Sequence, residues 1–195
     1  MSANHSQRGI VDHGRAQAAI EALLRALGED VSREGLMGTP ERVARMYAEL
    51  LSGHDEDPAA LLAVGYEETH GELVVVRDIC FHSLCEHHLL PFFGTAHLAY
   101  LPAGRVAGAS KLLRVVEAMS RRLQLQERLT NDIAEALEQG LRPRGVAVVV
   151  QAEHLCMSMR GVRKPGAQMR TYATRGLFQN DPLERANVLQ VLSSA

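Results

Sequence analysis

The sequence carries almost no net charge: 21 Lys and Arg against 23 Asp and Glu leave a formal charge of -2 over 195 residues. That balance excludes a bulk attraction to nucleic acid or to a membrane surface, so any anionic ligand must be held by a local cluster. Long apolar runs are missing as well, and no stretch approaches the length of a membrane span. Residues 1–13 are polar and lack the apolar centre of a secretion signal. Cysteine is scarce. Cys80, Cys85 and Cys156 make an odd set that argues against a disulfide framework and for a reducing compartment, so the expected location is cytoplasmic. What the chain does have is 46% hydrophobic residues, enough for one core with an appendage.

Periodicity divides the chain into a disordered tail over 1–14, a helical region over 15–66 and a main domain over 67–195. Ile20, Leu23, Leu24 and Leu27 follow helical spacing up to Gly28, which predicts a helix over 15–27. Thr39-Pro40 marks a second start, with Val43, Met46, Tyr47, Leu50 and Leu51 as its inward stripe, and a short helix is expected after Asp57-Pro58. After Gly71 the texture changes to Val and Ile. Strands are predicted over 73–80 and 92–101, then helices over 110–122, with Ser110 as N-cap, and 125–137, ending before Gly140. A strand over 146–150, a partner over 168–178 and a last helix from Asp181-Pro182 complete the order. Two hairpins with a helix pair on one face describe an α+β unit. The open edges of such a sheet are protected by closure among identical chains, which predicts an oligomer.

Two histidine and cysteine clusters stand out, Cys85-Glu86-His87-His88 and His154-Leu155-Cys156. Cys85 and His88 are three apart and share a face on a helical turn, while His154 and Cys156 are two apart and point the same way on a strand. Two thiols and an imidazole suit zinc, and three protein ligands leave a position open for water. Cys85, His88 and Cys156 are therefore the candidate ligands. His87 and His154 are left over where a proton carrier is useful. Cys80, in an apolar stretch, reads as a core residue.

Ser110, Lys111 and Arg114 fall in the first turn of their helix. Cations there oppose the helix dipole, which points to a compensating anion such as phosphate. On the strand of the second cluster the even positions continue past it, so His154, Cys156, Ser158 and Arg160 share one face. Arg160 is then about 13 Å beyond Cys156 at roughly 3.3 Å per residue, within reach of a phosphate tail.

Over most of its length the chain resembles the GTP cyclohydrolase I family. The likeness rests on Cys85-Glu86-His87-His88-Leu89-Leu90-Pro91-Phe92, on Gly108-Ala109-Ser110-Lys111-Leu112 with Arg114, and on Gln126-Glu127-Arg128-Leu129-Thr130. It extends to His154-Leu155-Cys156 with Arg160 and to Thr39-Pro40-Glu41-Arg42-Val43-Ala44. The resemblance implies the tunnelling fold, in which chains close into a β-barrel ring, usually a homodecamer with active sites between neighbours. It implies conversion of GTP and water to formate and 7,8-dihydroneopterin triphosphate, the entry to tetrahydrofolate and pterin synthesis. Carried over by position, Cys85, His88 and Cys156 would hold one zinc ion per subunit, and His87 and His154 would move protons. Ser110 would take part at the ribose, Glu127 with Gln126 would bind the guanine end, and Lys111, Arg114 and Arg160 would grip the triphosphate. Arg42 and Arg45 would reach it from the adjacent subunit; Arg45 stands where a lysine is common in the family.

Two other readings compete. A zinc-stabilised module without catalysis leaves His87, His154, Glu127 and the basic set without a shared purpose. Another pterin or deazapurine enzyme of the same fold would use a different thiol role or an all-histidine zinc site.

Overall fold

The computed structural model describes residues 11–63 and 65–193. Helix α1 (His13–Ala26) starts on Asp12, whose carboxylate accepts from the Arg15 N–H at 2.9 Å, and the chain leaves it through Gly28 at φ +87°. Residues 1–10 of the expected tail lie outside the described residues, and His13 and Gly14 are already helical. Helix α2 (Thr39–Leu50) packs on α1, with Pro40 in its first turn. Its expected apolar stripe is only partly covered: Val43, Tyr47, Leu50 and Leu51 are half-buried and Met46 is 43% exposed, while the buried position is Ala44, outside that stripe. Leu23 and Leu27 of α1 are exposed too, so this helical hairpin keeps apolar surface open in the single chain.

A 3-10 turn (Ser52–Asp55) and α3 (Pro58–Ala63) lead into β1 (Gly65–Glu67), β2 (Val74–Cys85), β3 (Pro91–Leu101) and β4 (Arg105–Ala107). There follow α4 (Ala109–Ser120), β5 (Leu123–Gln124), α5 (Gln126–Leu141), β6 (Gly145–His154), α6 (Leu155–Ser158), β7 (Gln168–Gly176), α7 (Leu177–Asn180) and α8 (Pro182–Ser193). Strand β1 pairs with β4, and Leu62 of α3 is fully buried in the main core. The helical region is thus stitched into the domain that follows it.

The main sheet has the order β5-β2-β3-β6-β7. Its two hairpins, β2-β3 and β6-β7, are antiparallel, and only β5 runs parallel to its neighbour β2. Helices α4 and α5 cover one face, as the sequence predicts. Val146, Val148, Val150 and Ala152 of β6 point into that core, while Ala147 and Val149 meet Phe178, Val188 and Leu192 on the other face. This two-sided burial, supplied by α7 and α8, is why β6 reads as a continuous apolar run rather than an alternating one.

Several boundaries differ from expectation, β2 running on to Cys85 and β7 stopping at Gly176, and Cys80, read from the sequence as a core residue, is exposed. Gly108, not Ser110, caps α4, placing Ser110 inside the first turn. Helix α5 continues through Gly140 to Leu141, because a Cβ at 140 would sit 2.6 Å from Leu62: the glycine admits α3 instead of ending the helix. Strand β6 stops at His154 and the chain turns at once into α6, so Ser158 and Arg160 do not continue a strand face.

Candidate metal and catalytic centre

The two clusters meet because β2 and β6 flank β3 and end on the same side. In register, Leu84 opposes Pro91 and Phe92 opposes His154, so the last residues of β2 and β6 come together around the first residues of β3. Beyond Cys85 the chain makes a tight turn, with the His88 and Leu89 N–H groups both donating to the Cys85 carbonyl, at 3.3 and 2.8 Å. That turn brings His88 back over Cys85, with Nδ1 3.9 Å from Sγ. Helical turn α6 then swings Cys156 inward. The ligand atoms of Cys85, His88 and Cys156 all lie within 4.8 Å of one another.

This donor set fits a divalent cation. Ligands around tetrahedral zinc lie about 3.5–3.8 Å apart, given metal bonds of about 2.0–2.3 Å, and the side chains here need only small adjustments to match. Burial, and after it the neighbouring Cys85 thiol, pushes the Cys156 thiol above its ordinary pKa. Protein alone therefore opposes two thiolates at this spot, and a bound cation reverses the sign. Cys85 is buried, Cys156 half-buried and His88 exposed, so the group opens to solvent on the histidine side.

His87 is exposed, and its ring stands edge-on to that of His88 with centroids 6.2 Å apart. His154 is buried. Its ring lies parallel to Phe92, 4.6 Å away and tilted by 2°, and its Nε2 is 2.8 Å from Gln126 Oε1. Desolvation lowers the pKa of His154, while the Glu127 carboxylate pulls the other way. Helix α5 thus delivers two residues beside the second cluster from its first turn: Gln126 points inward and is 1% exposed, and Glu127 faces solvent.

Ser110 and Arg114 are exposed and Lys111 is half-buried on the first turns of α4, whose entry is fixed by the Ala107 N–H donating to buried Tyr100 Oη at 3.0 Å. Arg160 follows α6, near enough for its charge to favour the Cys156 thiolate. Arg42 and Arg45 do not join this group. They lie on α2, where Arg42 bonds to Thr39 Oγ1 at 3.1 Å and Arg45 stands 3.8 Å from Glu41.

Two contacts were not anticipated from the sequence. Arg128 grips Glu86 through both guanidinium nitrogens, at 2.5 and 3.1 Å, tying the metal-ligand turn to the start of α5 and holding the Glu86 carboxyl below its usual range. Phe92 stacks on His154. Neither has a local signal: the sheet register sets Phe92 beside His154, and the placement of α5 brings Arg128 to Glu86.

A family model for GTP cyclohydrolase I matches residues 16–193. The GTP cyclohydrolase 1 of Bacillus subtilis (strain 168) is 55% identical over 181 residues, which cover 92% of this chain and 95% of that protein. That of Rhodopirellula baltica is 55% identical over 185 residues, covering 95% of this chain and 81% of the relative. The one from Geobacillus kaustophilus is 52% identical over 185 residues.

Proposed function

This chain belongs to the GTP cyclohydrolase I family and is an enzyme acting on GTP, and we propose that it opens the purine at C8 with zinc held by Cys85, His88 and Cys156. The products are formate and 7,8-dihydroneopterin triphosphate. The observation that carries this reading is the convergence of two thiols and an imidazole from distant segments to within 4.8 Å, with His154 and Glu127 alongside. When bound, the metal supplies Lewis-acid activation of water for attack at C8.

The chain's own residues do the rest. The Glu127 carboxylate accepts the N1–H and 2-amino protons of guanine, a donor pair that adenine lacks. It thereby selects the base, since the carboxylate, exposed in the single chain, is covered when a nucleotide binds and is then costly to leave unpaired by the wrong base. His87 and His154 deliver and remove protons at the ring nitrogens as the C8 bonds break. Ser110 serves the ribose. Lys111, Arg114 and Arg160 hold the triphosphate by charge-assisted hydrogen bonds, helped by the free N–H groups at the start of α4.

The oligomer belongs to the same proposal. One flank of β7 and most of one flank of β2 carry no strand partner among the described residues, β5 covering only Leu84 and Cys85. Closure of β7 against β2 of another copy satisfies both edges and builds the barrel of a homodecamer. In that ring Arg42 and Arg45 complete a neighbour's triphosphate site. The enzyme is proposed to work in the cytoplasm, where its thiols stay reduced.

The test is formate release from GTP. Metal-depleted protein is expected to be inactive and to regain turnover with zinc, and formate should appear in equal amount with a pterin that fluoresces after oxidation. Zinc-loaded protein that releases no formate would refute the reading.

A further inference from the structure

We infer that Gln126 is a positioning residue for His154: its side-chain amide keeps Nε2 of that imidazole protonated and leaves Nδ1 as the nitrogen that exchanges a proton with the purine. The inference deepens the GTP reading above and rests on it for the word purine, but the hydrogen-bond argument is independent of substrate.

Every proton in this network has a direction set by chemistry. The Thr130 hydroxyl lies 2.7 Å from the Gln126 backbone carbonyl, which can only accept, so Thr130 spends its one proton there. Thr130 Oγ1 is also 2.6 Å from Thr171 Oγ1, so Thr171 must be the donor of that pair. With its own proton committed, Thr171 can only accept from Gln126 Nε2 at 3.2 Å. The same Nε2 faces two further acceptors, the carbonyls of Val150 at 3.1 Å and Met169 at 3.0 Å. The opposite amide orientation would set an oxygen against these two carbonyls, so the hydrogen-bond network fixes the orientation.

Gln126 Oε1 is therefore the end that meets His154 Nε2, at 2.8 Å. An amide oxygen only accepts, so Nε2 carries a proton whether the ring is neutral or charged. A 180° ring flip would keep the stack on Phe92 but put Cε1–H where Nε2 meets the amide oxygen, losing that bond inside a buried site. Gln126 itself is 1% exposed with both ends of its amide engaged inside the protein. That is the arrangement of a residue that orients a catalytic group, and it differs from the substrate contact that the family resemblance assigns to this position.

Two measurements test it. In 15N spectra of histidine-labelled, zinc-loaded enzyme without GTP, the His154 signal can be identified by its loss in His154→Ala. A protonated Nε2 beside a bare Nδ1 is expected in the neutral ring; a protonated Nδ1 in the neutral ring would overturn the inference. In kinetics, Gln126→Leu removes the acceptor without adding charge, and kcat should fall about 10- to 100-fold with unchanged metal content and KM for GTP within about twofold. A raised KM at unchanged kcat would make Gln126 a substrate contact and defeat the proposal. Should Gln126→Leu fail to fold, the spectrum of the unsubstituted enzyme decides alone. If that enzyme releases no formate from GTP, the nucleotide reading fails while the nitrogen assignment is still read from the spectrum.

Discussion

At the scale of single residues, the two members of the second cluster should separate cleanly although only Leu155 lies between them. Cys156 is one of three residues whose donor atoms converge, whereas the His154 ring is engaged by Gln126 and Phe92. His154→Ala is expected to retain zinc and lose about 100- to 10,000-fold in kcat, and Cys156→Ala to lose both metal and turnover. Metal analysis beside formate assays reads the contrast, and full activity in His154→Ala would remove its acid/base role. Glu127→Gln should narrow the preference for GTP over inosine triphosphate, which lacks the 2-amino group; an unchanged ratio of kcat/KM values would count against the guanine contact.

His97 gives a pH prediction away from the site. It accepts from the Asp78 N–H at Nδ1, 3.2 Å away, where β2 bulges and Asp78 takes φ +58°. Burial lowers its pKa, with the Asp78 carboxylate opposing and Arg77 and Arg170 adding to the lowering. The unfolded chain, with an imidazole near its ordinary value of about 6.5, then binds the proton more readily than the folded one. The contribution of His97 to stability is complete above that value and is lost as pH falls through the lower folded value. His97→Gln should flatten the fall in Tm between about pH 7.5 and pH 5.5. An identical slope in both proteins would exclude His97 as a source.

At the scale of elements, the site depends on how the turn after β2 is tied to α5. The ends of β2 and β6 are ordered by the sheet ladder, which through β5 and the Glu86 N–H bond to the Gln124 carbonyl reaches the approach to α5; side chains then add Gln126 to β6 and β7, and Arg128 to Glu86. Both partners of the ion pair are partly exposed, so its worth to global stability is small. Its effect should appear instead in alignment. Glu86→Arg is expected to lower kcat/KM for GTP, and the exchanged pair Glu86→Arg with Arg128→Glu to recover part of the loss while Tm moves little. Equal activity in the single and exchanged variants would show that the pair aligns nothing.

At the scale of the whole molecule, the described residues of the single chain include open strand edges, exposed leucines at α1 and two arginines on α2 with no contact among those residues to Cys85, His88 or Cys156. All three are accounted for if copies assemble and α2 of one serves the site of another. Arg42→Ala and His154→Ala proteins, each inactive, should then complement when their subunits are mixed and reassembled. Random mixing restores roughly a quarter of the sites, those drawing the arginine from one parent and the histidine from the other. No recovery in a verified mixed assembly would put both residues in one chain's site or leave Arg42 without a role.

Much of this molecule was legible from residues alone. The helices α1, α2 and α8, the two hairpins and the Cys85, His88, Cys156 group all have local signals, because capping, periodicity and ligand spacing act over a few residues. What a short-range pattern cannot carry is who sits across the sheet. Gly140 looks like a helix end until Leu62 is packed on it, and the β6 run looks merely apolar until α8 covers its second face. Glu86 meets Arg128, and His154 meets Gln126 and Phe92, across separations that only the strand register and the packing of α5 on the sheet close. The sequence by itself determined which chemistry is present, since ligand and charge types are properties of side chains. Tertiary structure alone decided that His154 meets an amide oxygen through Nε2, because a side chain's hydrogen-bond partner depends on what is packed against it.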